Sequence, residues 1–257
     1  PAGEFIMGDN SSRRGAAPEA KVKIERPFWI SATEVTNQQF NVFDPKHDSR
    51  YTAQFWKDHV GPGYAANRPA QPVSRITWNQ ATEFCKAIGE RTGVNMMLPT
   101  EAQWEWACRA GSESEFWYGA MGSDFSRKEN LAAQMLRKMA VQGVDPQPVS
   151  ENTWVYKYYT FMPREDSIND GTMTIADVAQ YEPNAWGVYD MHGNVAEFTR
   201  SSYLPYPYKG EKEQGNNIVV RGGAWNYRAK HSAAYSRESN LAWQPANNVG
   251  FRVVIEE

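Results

Sequence analysis

The sequence predicts an α+β domain with few short helices and strands and much irregular structure, and three observations predict it. Helical signals reduce to three capping boxes, each a Thr followed three residues later by a Gln. Apolar alternation occurs only in short runs such as Ile218-Val219-Val220. Between Gly111 and Ala185 the chain is polar, aromatic and rich in turn residues.

Taken in order, Thr36-Asn37-Gln38-Gln39 opens a short helix through Phe40 to Phe43. The second box, Thr77 to Gln80, is followed by Ala81, Phe84, Cys85 and Ile88 on one helical face, with Gly93 beyond its end. The third, Thr100 to Gln103 after Pro99, carries Trp104, Ala107 and Cys108 on one face until Gly111 stops it. An extended link, Val94 to Leu98, joins these two helices and leads one to expect that they pack together. The last alternation is Phe251-Arg252-Val253-Val254-Ile255, while Asn10 to Ala20 and Tyr206 to Asn217 read as exposed loops. Without repeat or linker-like shift, residues 1–257 are expected to form a single domain. Irregular segments need something besides backbone ladders to satisfy their polar groups, and bound ions are the obvious candidate.

Composition narrows the function classes. With 41% apolar residues, 10 Trp, 13 Tyr and 11 Phe there is enough material for a sizeable core. A formal charge of -3 with both signs interspersed gives no field suited to nucleic acid or an anionic membrane. No apolar run has the length to span a bilayer, and Pro1-Ala-Gly-Glu opens without a basic n-region, so any signal peptide lies outside this chain. Two cysteines, Cys85 and Cys108, exclude a disulfide-dense scaffold and either pair once or remain free thiols.

Six blocks arrive in order: Gly3-Glu4-Phe5-Ile6-Met7-Gly8; Phe28-Trp29-Ile30 through Glu34-Val35-Thr36-Asn37-Gln38-Gln39-Phe40; Leu98-Pro99-Thr100-Glu101-Ala102-Gln103-Trp104-Glu105-Trp106-Ala107; Asn184-Ala185-Trp186-Gly187-Val188-Tyr189-Asp190-Met191-His192-Gly193-Asn194-Val195; Arg221-Gly222-Gly223-Ala224-Trp225; and Gly250-Phe251-Arg252-Val253-Val254. Together, over nearly the whole chain, they resemble the formylglycine-generating-enzyme, or sulfatase-modifying-factor, family. The resemblance implies a C-type-lectin-like fold holding one or two calcium ions. It places one ion on Asp190, Gly193, Val195 and Glu197, and a second on Asn130 and the Leu131 carbonyl with Asp170 and the Thr172 carbonyl. Calcium accepts such hard oxygens at flexible geometry. The plain alternative is that Asp190 and Glu197 are solvated turn acids or partners of Arg200.

The chain departs from the catalytic pattern. Members that make formylglycine bind copper through two cysteines, and those positions are Tyr227 and Ser232 here. Neither is a thiolate, so copper is not expected and the family's oxidation cannot run by its usual route. Ala224 also replaces a serine expected beside the glycines. The iron-binding branch needs three histidines; this chain has only His47, His59, His192 and His231, with no paired signature. His192 and His231 are proton-transfer candidates if they face one cleft, and otherwise structural histidines. Tyr203, Tyr206 and Tyr208, separated by prolines, form either an aromatic ligand platform or a rigid loop.

Two readings follow. One is a calcium-stabilised monomer, periplasmic or secreted, that binds a peptide or glycan in a cleft near Trp225, Tyr227, Arg228 and His231. The other is an oxidative enzyme acting without thiols on a peptide or siderophore precursor, similar to the pyoverdine-maturation member of the family, with Tyr227, Ser232 and His231 as candidate catalytic groups. Sulfatase activation is disfavoured because both metal thiolates are gone.

Overall fold

The structure, a computed structural model, describes residues 1–11, 15–52, 64–142, 145–148, 164–210 and 215–256, with side chains outside 137–142 and 145–148. In chain order the elements are β1 (Gly3–Met7), β2 (Ala20–Ile24), β3 (Trp29–Ile30), α1 (Asn37–Phe40), β4 (Tyr51–Thr52), β5 (Tyr64–Ala65), α2 (Trp78–Thr92), β6 (Met96–Met97) and α3 (Glu101–Arg109). There follow β7 (Met139–Gln142), β8 (Asp145–Pro148), β9 (Ala196–Ser202), β10 (Asn217–Arg221), β11 (Arg237–Leu241), β12 (Val249–Phe251) and β13 (Val254–Ile255). The class is α+β, as the local signals predict.

Each of α1, α2 and α3 starts where its capping box stands. Thr36, Thr77 and Thr100 each accept from the main chain of the following Gln while that Gln side chain reaches back to the Thr amide, which satisfies two otherwise orphaned donors. Gly93 ends α2 in the left-handed region at φ 74. Two ends differ from expectation. α1 stops at Phe40, and Asn41 to Phe43 continue as single turns such as the Phe43 amide to the Phe40 carbonyl, 2.9 Å. α3 turns left-handed at Ala110, φ 45, one residue before Gly111.

The main sheet has strand order β11-β10-β9-β12, with β10 antiparallel and β12 parallel to β9. A smaller sheet, β3-β13-β6, ties the N-terminal third to the C-terminus, and β1 pairs β2 as a separate ribbon. One core cluster joins Phe40, Phe84, Phe198 and Phe251. Phe40 stacks on Phe84 at 5.5 Å and Phe84 meets Phe251 edge-on at 5.3 Å, geometries that ring quadrupoles favour.

The expectation that α2 and α3 pack on each other is not met. α2 gives Ala81, Phe84 and Cys85 to the phenylalanine cluster. α3 divides its residues between a cluster with Val188 and Met191 and another with Met7, Val22 and Ile24. Cys85 and Cys108 therefore lie in different clusters, both buried and both free. Burial pushes the Cys85 thiol up to about 12 and the Cys108 thiol well above the usual range, so neither is a ready thiolate.

Truncating Phe40 to Ala should cost about 3–5 kcal/mol through the cavity left between three rings, whereas Thr77→Ala should cost about 1 kcal/mol through a lost cap. Urea unfolding with an unchanged slope reads both values; a smaller loss for Phe40 than for Thr77 would contradict this placement of the core.

Candidate functional site

Three segments meet in front of β9: the turn Asp190 to Val195, the strand-like pair Asn130-Leu131, and the run Arg221 to Trp225. Main-chain bonds stitch them, from Gly193 N to Gly222 O (2.9 Å), Asn194 N to Asn130 O (2.8 Å) and Trp225 N to Asn194 O (2.9 Å). Position 193 admits only glycine: its φ is 107, and a β-carbon would collide with the Asn130 carbonyl oxygen. Asn194, itself left-handed at φ 52, is the hub. Its side chain accepts from Asn130 Nδ2 (3.1 Å) and the Ala176 amide (3.0 Å), and donates to Glu34 Oε1 (3.1 Å).

The acids of this turn are buried, so the solvated alternative fails. Glu197 is fully buried and both its oxygens are engaged: Arg252 donates through Nε (2.6 Å) and Nη2 (2.7 Å), and Trp104 Nε1 donates at 2.7 Å. Arg200, the other partner considered, pairs instead with Glu256 at 2.6 Å. Asp190 accepts from the Ala179 amide through Oδ2 (2.8 Å), while its Oδ1 is buried without a partner, as is Oε2 of Glu34. Burial first, and the neighbouring carboxylates Asp190 and Glu197 second, hold Glu34 well above the usual range; burial pushes Asp190 up to about 6.

These residues allow a test of the implied calcium. At the second set, Asn130 Oδ1 is buried and unpartnered because the amide nitrogen is spent on Thr174 O (2.8 Å) and Asn194. Asp170 beside it accepts one main-chain N–H on each oxygen, from Leu131 and Thr172, both at 3.1 Å, and burial still lifts it to about 7. An orphaned amide oxygen next to a desolvated carboxylate suits a hard cation. The residues fit. At the first set only Asp190 offers a free carboxylate oxygen, since Glu197 serves Arg252. Among the described residues no three His, Cys, Asp or Glu side chains converge as a metal site, so an ion at the second set would rest on the single carboxylate of Asp170 with amide and carbonyl oxygens.

The two positions where cysteines were expected, Tyr227 and Ser232, both lie beside Gly223. Ser232 is fully buried, and its unpartnered Oγ fills the space that a side chain at Gly223 would need. Tyr227 donates its hydroxyl to Glu238 at 3.0 Å and faces His231 edge-on at 6.4 Å. Between Gly223, Tyr227, His231, Ser236 and Glu238 lies a void of about 10 Å³, room for one water. Trp225 is not on a cleft wall: at 1% exposure it packs with Val195 and Ala224 in the core. Arg228 is half-buried and pairs with Glu165 at 3.0 Å.

The two histidine candidates do not share a cleft. His192 is fully buried, its Nδ1 donating to Ser232 O (2.7 Å) and its Nε2 lying 3.5 Å from Cys108 Sγ; burial lowers it to about 3, so it stays neutral and structural. His59 lies outside the described residues. Tyr203 and Tyr206 sandwich the Arg237 guanidinium at 4.4 and 4.3 Å, with Arg237 bidentate to buried Glu101. They serve an ion pair and are no open platform. Residues the sequence left without a role, Glu34, Arg252 and Glu238, are the ones that complete this geometry; the first two stood within the quoted motif blocks.

With this geometry in place, comparison decides the family. Residues 1–257 match the sulfatase-modifying factor enzyme 1-like domain. The chain belongs to that family. It is 27% identical to the inactive C-alpha-formylglycine-generating enzyme 2 of Mus musculus, covering 98% of this chain and 83% of that protein. The formylglycine-generating enzyme of Streptomyces coelicolor is 26% identical, covering 98% and 86%. In structure the chain is similar to PvdO from Pseudomonas aeruginosa, with a TM-score of 0.73 at 21% identity, covering 100% and 92%. That likeness gives the fold, C-type-lectin-like within this family.

Two glycines with similar backbone should part company. Gly187, φ 77, has nothing within 4 Å of a β-carbon, whereas Gly193 does. Gly187→Ala should cost about 1–2 kcal/mol, the strain of a left-handed alanine, and Gly193→Ala more than about 4 kcal/mol. Equal thermal shifts would refute the close approach of Asn130 to the turn.

Proposed function

We propose that this chain is a calcium-held member of the family that binds a peptide or glycan around Tyr227, Arg228 and His231 and does not oxidise cysteine. The observation that carries the reading is the replacement of both thiolate positions by groups already committed to the protein. The Tyr227 hydroxyl is bound to Glu238, and the Ser232 side chain is packed against Gly223. Soft thiolates select Cu(I); a phenol and a buried hydroxyl do not. Trp225 supports this surface from beneath and Arg228 and His231 offer its polar contacts.

Calcium at Asn130, Leu131, Asp170 and Thr172 would supply a fixed dication against desolvated oxygens and so hold irregular chain in place. Asp190 is the carboxylate open to an ion at the other set. A periplasmic or secreted setting suits such a scaffold, because extracellular modules work with weak calcium sites. Within the described residues no helix is long and apolar enough to cross a membrane.

Two measurements test the reading. In a Cu(I) titration the chain should take up no stoichiometric copper, while the double change Tyr227→Cys with Ser232→Cys should; tight copper binding by the unaltered chain would overturn it. Calcium at one hundred times its dissociation constant should stabilise by about 2.7 kcal/mol, seen as a rise in melting temperature that chelator reverses. Asp170→Asn and Asn130→Ala should abolish that rise. Melting insensitive to calcium and chelator would refute the ion.

A further inference from the structure

A cleft of about 780 Å³ lies well away from Tyr227, between the β1–β2 ribbon, α3 and the turn that follows it. That volume falls inside the roughly 300–1,000 Å³ of small-ligand sites. One wall is aromatic. Phe5 and Trp106 lie 5.3 Å apart at 41°, Trp106 being pressed onto β1 where Gly3 leaves room for its ring. Tyr235 closes the same side.

The rim is acidic, and its charge is not neutralised from within. Lys21 is taken by Glu4. Arg109 spends Nε and Nη2 on Glu105 (2.9 and 2.8 Å) and its remaining donors on the Ser114 and Gly8 carbonyls. Asp9, Glu19, Glu113 and Glu115 line the cleft, and among the described residues none of them is ion-paired with Lys21 or Arg109. Burial, then Asp9 and Glu115, raise the Tyr235 phenol, against a smaller opposing effect of Arg109. An indole wall facing uncompensated carboxylates attracts a cation twice, through charge and through the ring quadrupole.

We propose that this cleft binds an organic cation, an alkylammonium or guanidinium group on an apolar stem, the stem against Phe5 and Trp106 and the head among Asp9, Glu19, Glu113 and Glu115. The stem length that the volume admits fits a polyamine or the lysine or arginine side chain of a basic peptide. This site is separate from the surface around Tyr227 and stands or falls independently of it.

Calorimetric titration of the full chain at low ionic strength with spermidine, with a capped Lys-Lys peptide and with its acetylated counterpart tests the proposal. At least one of the two cations should saturate, and the acetylated peptide should bind at least tenfold more weakly. Binding of only one cation names the source. Glu19→Gln with Glu113→Gln, both exposed positions, should weaken binding about tenfold. Glu83→Gln with Glu90→Gln on the exposed face of α2 should change it less than twofold. No saturable binding, equal binding of the acetylated peptide, or equal weakening by both double changes would overturn it.

Discussion

The carboxylate of Glu197 and the guanidinium of Arg252 form the joint on which the rest of this structure hangs. Both are buried, and each alone would be prohibitively desolvated. Together they are satisfied, and Arg252 has donors left over. It reaches the Ser31 carbonyl (3.2 Å) and the Tyr189 carbonyl (2.9 Å), while Trp104 of α3 completes Glu197. One pair thus fixes the start of β9, the link between β12 and β13, the stretch after β3 and the approach to the Gly193 turn. Arg221 with Glu105 and Arg237 with Glu101 repeat the device, each also collecting main-chain carbonyls, of Ala234 and Ser236 in one case and of Gly15 and Leu204 in the other. A chain with so much irregular backbone needs acceptors for its carbonyls, and five-donor arginines held by carboxylates provide them.

The buried acids on the two sides of the turn are unequally matched. Glu197 cannot be removed from Arg252 without leaving a bare buried cation, a loss of several kcal/mol. Asp170 has no cationic partner, only two amides, and Asn130 Oδ1 has nothing. The scaffold is held by arginines on the β9 side of the turn and offers bare oxygens on the Asn130 side. The dication proposed for that side would do there what the arginines do on the other.

Much of this was legible locally and little of it at long range. The three capping boxes lie within four residues each, so sequence spacing alone places the starts of α1, α2 and α3. The ordered blocks gave the family and hence the fold. Which acid meets which arginine is another matter: Arg221 and Arg252 stood in the quoted blocks, but nothing in their spacing says that the first reaches Glu105 and the second Glu197. The same blindness left Tyr203 and Tyr206 open between a platform and a rigid loop, since their role depends on Arg237 arriving between them. Helix packing failed for a related reason: a short link between α2 and α3 suggested contact, but the faces of the two helices answer to different clusters.

The unpartnered buried atoms then separate by chemistry, and the separation carries the functional argument one step on. Along the Asn130–Asp190 seam they are oxygens of amide and carboxylate groups: Asn130 Oδ1, Asp190 Oδ1 and Glu34 Oε2. Near the two replaced positions they are Ser232 Oγ and Ser236 Oγ, hydroxyls that can donate or accept, while Trp225 Nε1 lies in the core cluster with Val195 and Ala224. A bare amide or carboxylate oxygen suits a cation or a proton shared with a neighbour, as the raised Glu34 can supply to Asp190, and a bare hydroxyl suits water, because a buried polar group left alone costs about 1–3 kcal/mol.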